Sequence, residues 1–403
     1  MASSLLTINM VTREAIRLWK NSNEFLQSID TQYDDQFARS GAKIGQTLRI
    51  RLPNDYTVTT GPALSVQDTV EPSVTLAVAT QKHVDVSFSS QERTMSIDDY
   101  SRRVMAPMVN NLAGAVAADI MSGAENICNL TANFDGGGNV LSPNATTWLN
   151  AGAILDLNSC PRGMRKIIMD PLTQARTVGS LSGLFNPQNV IGQQYRSGTM
   201  QEALGFDWKS DQTVIKHTTS NYSGAPTVSG AGQTGNTIVT SAIPGGYNVG
   251  DIITFTGVNA VNRITKETTG QLRQFVVTAP VPNNGTSVNI YPALIPASGG
   301  NKVQYQTVDV SPNNLAPIVP ATLAASVYRK NFAFAPEAVT MVTADLEMPG
   351  GIQEGARESF DGISMRMITV YIPGTDQTVT RLDVLYGYYW VRPEWAVAVP
   401  DAI

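Results

Sequence analysis

The chain closes on RLDVLYGYYWVRPEWAVAVP, residues 381–400: an apolar strand, the pair Tyr386-Gly387, the triplet Arg392-Pro393-Glu394, and then small apolar residues. Aromatic and β-branched side chains at this density read as strand. ISMRMITVYIPG, residues 363–374, reads the same way, so the C-terminal part is strand-rich.

Strands also dominate residues 218–314, rich in Thr, Ser, Gly, Asn, Val and Pro and almost free of helix formers. TIVTSAI, DIITFTGV, LRQFVVTA, SVNIYPAL and KVQYQTV are short strands at the spacing of a small barrel or sandwich. Upstream, TTWLNAGAILDLN and LTQARTVGSLSGLF read as helices around the strand RKIIMDP. The alternation predicts an α+β fold with an all-β domain inserted into a loop of a larger one.

Further towards the N-terminus, Met108, Leu112, Val116 and Ile120 repeat every four residues among alanines. With Pro107 in the first turn, this predicts a helix running to about Cys128, a rod of about 33 Å. Ser96-Ile97-Asp98-Asp99 is the start signal before it. LRIRLPNDYTV and VTLAVATQKHVDVSF, within residues 47–88, alternate apolar and polar residues around Pro53, Gly61, Pro62 and Pro72. They predict a long two-stranded excursion with a loose tip, a shape that usually lies against something else. At the start, Ala15, Leu18, Trp19, Leu26 and Ile29 form a helical stripe, with Thr12 as its N-cap. Such a helix needs a partner surface, either its own core or a neighbouring subunit.

Composition excludes several classes. The chain has 403 residues, 42% hydrophobic and 15% charged, enough for two or three compact units. No apolar run approaches the roughly 20 residues of a membrane span. MASSLLTINMVTREAIRLWK lacks a basic n-region, so no secretory signal is expected and the product is expected to stay where it is made. The net charge of -5 argues against tight nucleic-acid binding. Cys128 and Cys160 have no CxxC or His partner and read as buried free thiols.

Signals of chemistry are weak. Gly230, Gly232 and Gly235 form GxGxxG, yet a strand and turn follow where a cofactor site needs a helix, so the reading is a hairpin turn. GSLSG at 179–183 puts Leu181 where a nucleophile belongs. Asp34-Asp35 and Asp98-Asp99 suit helix starts better than metal sites. His83 and His217, the only histidines, stand apart from each other. No catalytic, cofactor or metal residues are expected, and the chain is not read as an enzyme.

Taken in order, these segments resemble the coat proteins of short-tailed phages of the Salmonella type. The resemblance rests on 381–400 with Arg392, Pro393 and Glu394, on YRSGTMQEALGFDWKSDQTV at 195–214, and on YNVGDIITFTGVNAVNRITKETTGQLRQFVVTA at 247–279. It implies the Hong Kong 97 capsid fold with an inserted β-barrel. Residues 1–45 would then be the N-terminal arm, 46–95 the extended loop and peripheral strands, and 96–145 the spine helix and peripheral domain. Residues 146–221 would start the axial domain, 222–310 form the inserted barrel, and 311–403 complete the axial domain and the return strands. The implied function is the icosahedral shell around a tailed phage's double-stranded DNA, built of pentamers and hexamers with a scaffolding protein and a portal, and located in the virion.

Two departures matter. Residues 44–81 contain no lysine, so the Lys–Asn cross-link of some relatives is not expected. From Asn221 to Gly250 the chain is short and uncharged where the family carries a charged twofold clasp. Arg49, Arg51, Asp55, Asp68 and Glu71, with Trp19 and Phe25, are the candidate intersubunit contacts. The rival readings are a secreted carbohydrate-binding or adhesive β-protein, and a hydrolase.

Overall fold

The computed structural model describes residues 8–31, 47–64, 66–67, 72–89, 104–181, 202–297, 303–360 and 362–403. The chain divides into two compact units. The Ser96–Asp99 start signal, Asp34-Asp35 and residues 195–201 of the 195–214 segment lie outside the described residues.

The first unit comprises 1–51, 73–120 and 339–391. Its frame is the strand Gln377–Tyr389, which carries most of the opening stretch. One partner, Thr80–Ser89, runs along its residues 377–386; Ile363–Ile372 pairs with its residues 377–383, and Thr340–Ala344 with 385–389. Glu354–Phe360 extends the sheet beyond Ile363–Ile372. Gly387 is required because a Cβ there would collide with the carbonyl of Ala77, which crosses directly against it. Asp383 is fully buried in this sheet and is held by a two-pronged bond from Arg366 and by Gln81 at 3.0 Å.

The helix Ile8–Ser22 packs on Glu354–Phe360 and Ile363–Ile372 through Ala15, Ile16 and Trp19, so it finds its partner surface in its own core. Thr12 is not an N-cap: it lies inside the helix and is fully buried with that same stripe. Leu26 and Ile29 follow the helix in turns, where the Asn23 side chain accepts from the Leu26 N–H.

The long helix spans Ala106–Ser122, shorter than its apolar repeat suggests, about 26 Å. All four repeat residues are buried. Gly123, a poor helix former, opens a 3-10 turn, Gly123–Asn126, which turns Glu125 towards charged partners. Lys82 Nζ donates to the Ala115 carbonyl, Trp390 Nε1 to that of Ile120, and Tyr386 OH to Asp119, so the helix is bonded to the sheet.

The second unit comprises 52–72, 121–338 and 392–403. Its seven-stranded mixed sheet runs Asn129–Leu130, Ala396–Ala402, Val327–Phe334, Lys166–Met169, Phe206–Ser210, Glu202–Ala203, with Lys216–Thr218 also on Val327–Phe334. The helices Ala145–Leu157 and Pro171–Leu181 fall where the pattern predicts them. The first is capped by Asn144, whose side chain accepts from the Thr147 N–H, and its Trp148 meets Trp208 edge-on at 5.1 Å. Near the C-terminus, fully buried Asp401 accepts from Thr173 and Arg176, while Arg176 and Arg329 both donate to the Ala402 carbonyl.

Within this unit a five-stranded antiparallel sheet runs Gly235–Ile243, Gly285–Leu294, Thr268–Val277, Ile252–Val261, Ile318–Pro320. Phe255, Phe275, Val258, Val288 and Ile290 form its core. KVQYQTV supplies no strand. Val303–Tyr305 is a 3-10 turn, and after it the backbone makes only isolated contacts: the Thr307 N–H donates to the Ile295 carbonyl, Val308 forms a single bridge to Ala260, and Thr307 Oγ1 accepts from the Ile295 N–H. Ile318–Pro320 is the fifth strand instead. Gly230, Gly232 and Gly235 all have positive φ in the loop before the first strand, braced by Gln233, which bonds to the backbone of Ser229 and Val239. A second apolar cluster, Cys128, Leu130, Ile252 and Val276, lies beside the amide of Gln274, which exchanges two hydrogen bonds with the backbone of Leu130. Both cysteines are free and buried, and burial pushes their thiols up to about 12 for Cys128 and about 11 for Cys160.

Burial at Phe255 makes a stability prediction. Phe255→Ala should cost about 3–5 kcal/mol, read as a lower urea midpoint, whereas Val58→Ala at a 96% exposed position should leave the midpoint unchanged. Equal midpoints for the two variants would contradict this core.

Candidate functional site

The candidate contacts fall into four groups. Arg49 and Arg51 are exposed on the hairpin Thr47–Arg51/Ser73–Ala77, with Arg49 Nε donating across it to Ser73 Oγ at 2.7 Å. Asp68 and Glu71 lie outside the described residues. Trp19 and Phe25 are not contact residues: both are fully buried in their own chain, because the apolar stripe that carries Trp19 faces the sheet of its own unit.

Asp55 is engaged within its own chain. Arg263 grips its carboxylate with Nε at 3.1 and 3.2 Å and Nη2 at 2.9 Å. On the other side of Arg263 stands Glu394, 3.6 Å away, which accepts from Tyr291 OH at 2.8 Å. Burial works against the Arg263 charge, but the hydrogen bonds and attraction of Asp55, followed by Glu394, outweigh it and raise its pKa. Arg392 lies over the Trp395 ring at 4.1 Å, and burial lowers its pKa. These groups border an open cavity of about 250 Å³, lined also by Pro53, Tyr56, Ser159 and Ile264. Arg392 and Glu394 belong to the C-terminal triplet, which therefore builds a charged seat.

A second charged group lies deeper. His217, 3% exposed, sits between two carboxylates, Nδ1 at 2.8 Å from Glu125 and Nε2 at 3.0 Å from Asp251. Lys330, fully buried, donates to Glu125 at 3.0 Å. Asp251 also accepts from the backbone of Ser220 and Asn248. A Cβ at Gly250, where φ is +91°, would collide with the Glu125 carboxylate, so only glycine admits this packing. Sequence reading treats His217 as isolated, and the structure corrects this. Its two partners lie 92 and 34 residues away in the chain, and Lys330, which bonds to Glu125, lies 113 away, so no local spacing reveals the group. The one local signal is Lys330, a charge inside the apolar strand VYRKNFAF. Both ring nitrogens of His217 are taken by carboxylates, so the arrangement ties together segments distant in the chain. Among the described residues no group of three or more His, Cys, Asp or Glu is placed to hold a metal ion, and no helix is long and apolar enough to cross a membrane.

Burial disfavours the His217 charge, yet hydrogen bonds to Asp251 and Glu125 outweigh it and raise its pKa above 6.5. For Glu125, burial is likewise outweighed, by Lys330 and His217, and its pKa falls below 4.5. The histidine's contribution is therefore complete below pH 6.5 and lost as pH climbs through its raised folded value. The Glu125 contribution is complete above pH 4.5 and lost as pH drops through its lowered folded value. Comparing urea midpoints of the wild type and His217→Gln from about pH 5 to about pH 9 should give a gap that is widest at the acid end and narrows with rising pH. A gap independent of pH would mean that His217 carries no charge in the fold.

The chain is similar to several solved structures. The one described as Mycobacterium phage Che8 shares 12% identity at a TM-score of 0.47, covering 94% of this chain and 90% of the other. The capsid of the cyanophage P-SCSP1u shares 12% at 0.43, covering 90% and 84%. The I-domain of the CUS-3 coat protein shares 34% at 0.20, over 24% of this chain and 96% of that domain. No curated protein matches the chain. The family described as P22 coat protein, gene protein 5, matches residues 45–399. On that match, which spans nearly the whole sequence, the chain belongs to the P22 coat protein family and is a tailed-phage major capsid protein.

Proposed function

We propose that copies of this chain close into an icosahedral shell of pentamers and hexamers around double-stranded DNA, using a Hong Kong 97-type subunit. Residues 1–45 act as the arm, 46–95 hold the extended loop, 96–145 the spine helix, and 146–221 with 311–403 the axial domain and return strands. Residues 222–310 form the inserted barrel. A scaffolding protein directs assembly in the host cytoplasm, and a portal occupies one vertex.

The observation that carries this reading is the family match over residues 45–399. The loop tip supports it. Val58, Leu64 and Val66 are 96, 91 and 81% exposed, an apolar edge that a solitary protein seldom keeps in water. Individual contacts in such a shell can be weak, since each subunit touches several others and closure multiplies their effect. The acidic net charge of -5 suits a wall that DNA does not grip. The inserted domain acts mainly as an intramolecular brace, because the stretch from Asn221 to Gly250 carries no charge with which to clasp a twofold mate. The Gln274–Leu130 exchange, joining that domain to the backbone beside it, fits the bracing role.

Co-expression with the scaffolding protein should give closed shells by negative-stain microscopy; monodisperse monomers would overturn the reading. Replacing residues 47–81 by a short turn should abolish normal shells, and shells of normal size and yield from that variant would remove the loop's role. With no lysine in 44–81, boiled shells should run on a denaturing gel as a single 43.2 kDa band. A ladder of larger covalent species would contradict this.

A further inference from the structure

The geometry points to a plug and socket: Pro53–Tyr56 seats against Arg263 of its own chain before assembly and against Arg263 of a second copy in the shell. The inference rests on reading 47–81 as the loop that reaches a neighbour, and adds the seat it occupies there.

The socket is built without the loop. The Asn262 side chain accepts from the N–H groups of Ile264 and Thr265, fixing the turn that presents Arg263. Tyr291 holds Glu394, and Glu394 faces Arg263 from the side away from Asp55. Arg392, stacked on Trp395, supplies a second positive charge at the rim of the cavity. The site is thus preorganised for a carboxylate on a short extended segment. Asp55 provides one, flanked by Pro53, which limits the backbone, and Tyr56, which lines the same cavity.

The contact is also suited to exchange. Asp55 and Arg263 are 31 and 29% exposed, so water competes for the pair and its hold on the loop is modest. An identical pair between copies replaces it bond for bond, the logic by which exchanged segments make oligomers at little cost. The bias towards exchange comes from Val58, Leu64 and Val66, which gain cover only when the tip lies on another copy. The self-seated loop leaves the apolar tip uncovered, and the exchanged loop covers it and links subunits.

Charge reversal separates the two states. D55R and R263D alone leave every plug facing a socket of its own sign and should lower shell yield about fivefold or more, the equivalent of about 1 kcal/mol at each contact. In an equimolar mixture, the plug of D55R meets a complementary socket only on an R263D chain, so shell yield should recover. Singles that assemble like the wild type, or a mixture no better than either single, would overturn the exchange. A second measurement does not depend on yield. Shells of mixed D55C and R263C chains, treated with a short bis-maleimide, should give linked dimers, since Cys128 and Cys160 are buried. The D55C/R263C variant should give internally bridged monomers before assembly and linked chains after it; internal monomers from shells would overturn the proposal. Wild-type chains that form no shells would count against the shell itself, a failure distinct from these.

Discussion

Lys330 is wholly enclosed, and its ammonium is tolerable only because Glu125 reaches it, with His217 and Asp251 completing a group of two positive and two negative charges. Unpaired, such a charge would cost several kcal/mol of desolvation. The group gathers the turn after the long helix, the strand Lys216–Thr218, the start of Ile252–Val261 and the strand Val327–Phe334. A buried network of this kind adds little net stability compared with apolar packing, but it rejects misplaced alternatives, because shifting any one segment strands a charge. The register between the seven-stranded and five-stranded sheets of the second unit depends on it, with the Gln274–Leu130 exchange as its lesser counterpart.

Below this constraint the remaining architecture follows ordinary rules. Buried carboxylates recur, Asp383 and Asp401, each answered by arginines carried on strands or helices distant in sequence. Apolar surface is covered almost throughout the two cores and left open at the loop tip. A capsid subunit divides its material in this way: rigid interiors hold shape, and the parts left unfinished in one copy are completed by another.

Periodicity made much of the fold legible. The helices at 145–157 and 171–181, and four of the five strands named between 237 and 308, sit where alternation and capping residues place them. The failures share a cause. The long helix stops where Gly123 opens the turn that carries Glu125 to charges far along the chain, and KVQYQTV gives a 3-10 turn and a single bridge to distant Ala260. Trp19 was read as surface because a stripe does not say which surface covers it. Asp55 was singled out by its place on an exposed loop, but Arg263 was not, since its partner is 208 residues away. Tertiary bonds between distant charges have no local period.

Cys128 and Cys160 acquire a meaning beyond packing. A virion spends most of its existence outside a cell, in aerated water, with no reducing system to repair it. Thiolate is the form that oxidises, and burial that pushes these thiols up to about 12 and about 11 leaves almost none of it at neutral pH. Repeated over every subunit of a particle, two sealed sulfurs per chain mean a coat whose thiols are shielded from oxidation and stray disulfide exchange during its wait for a host.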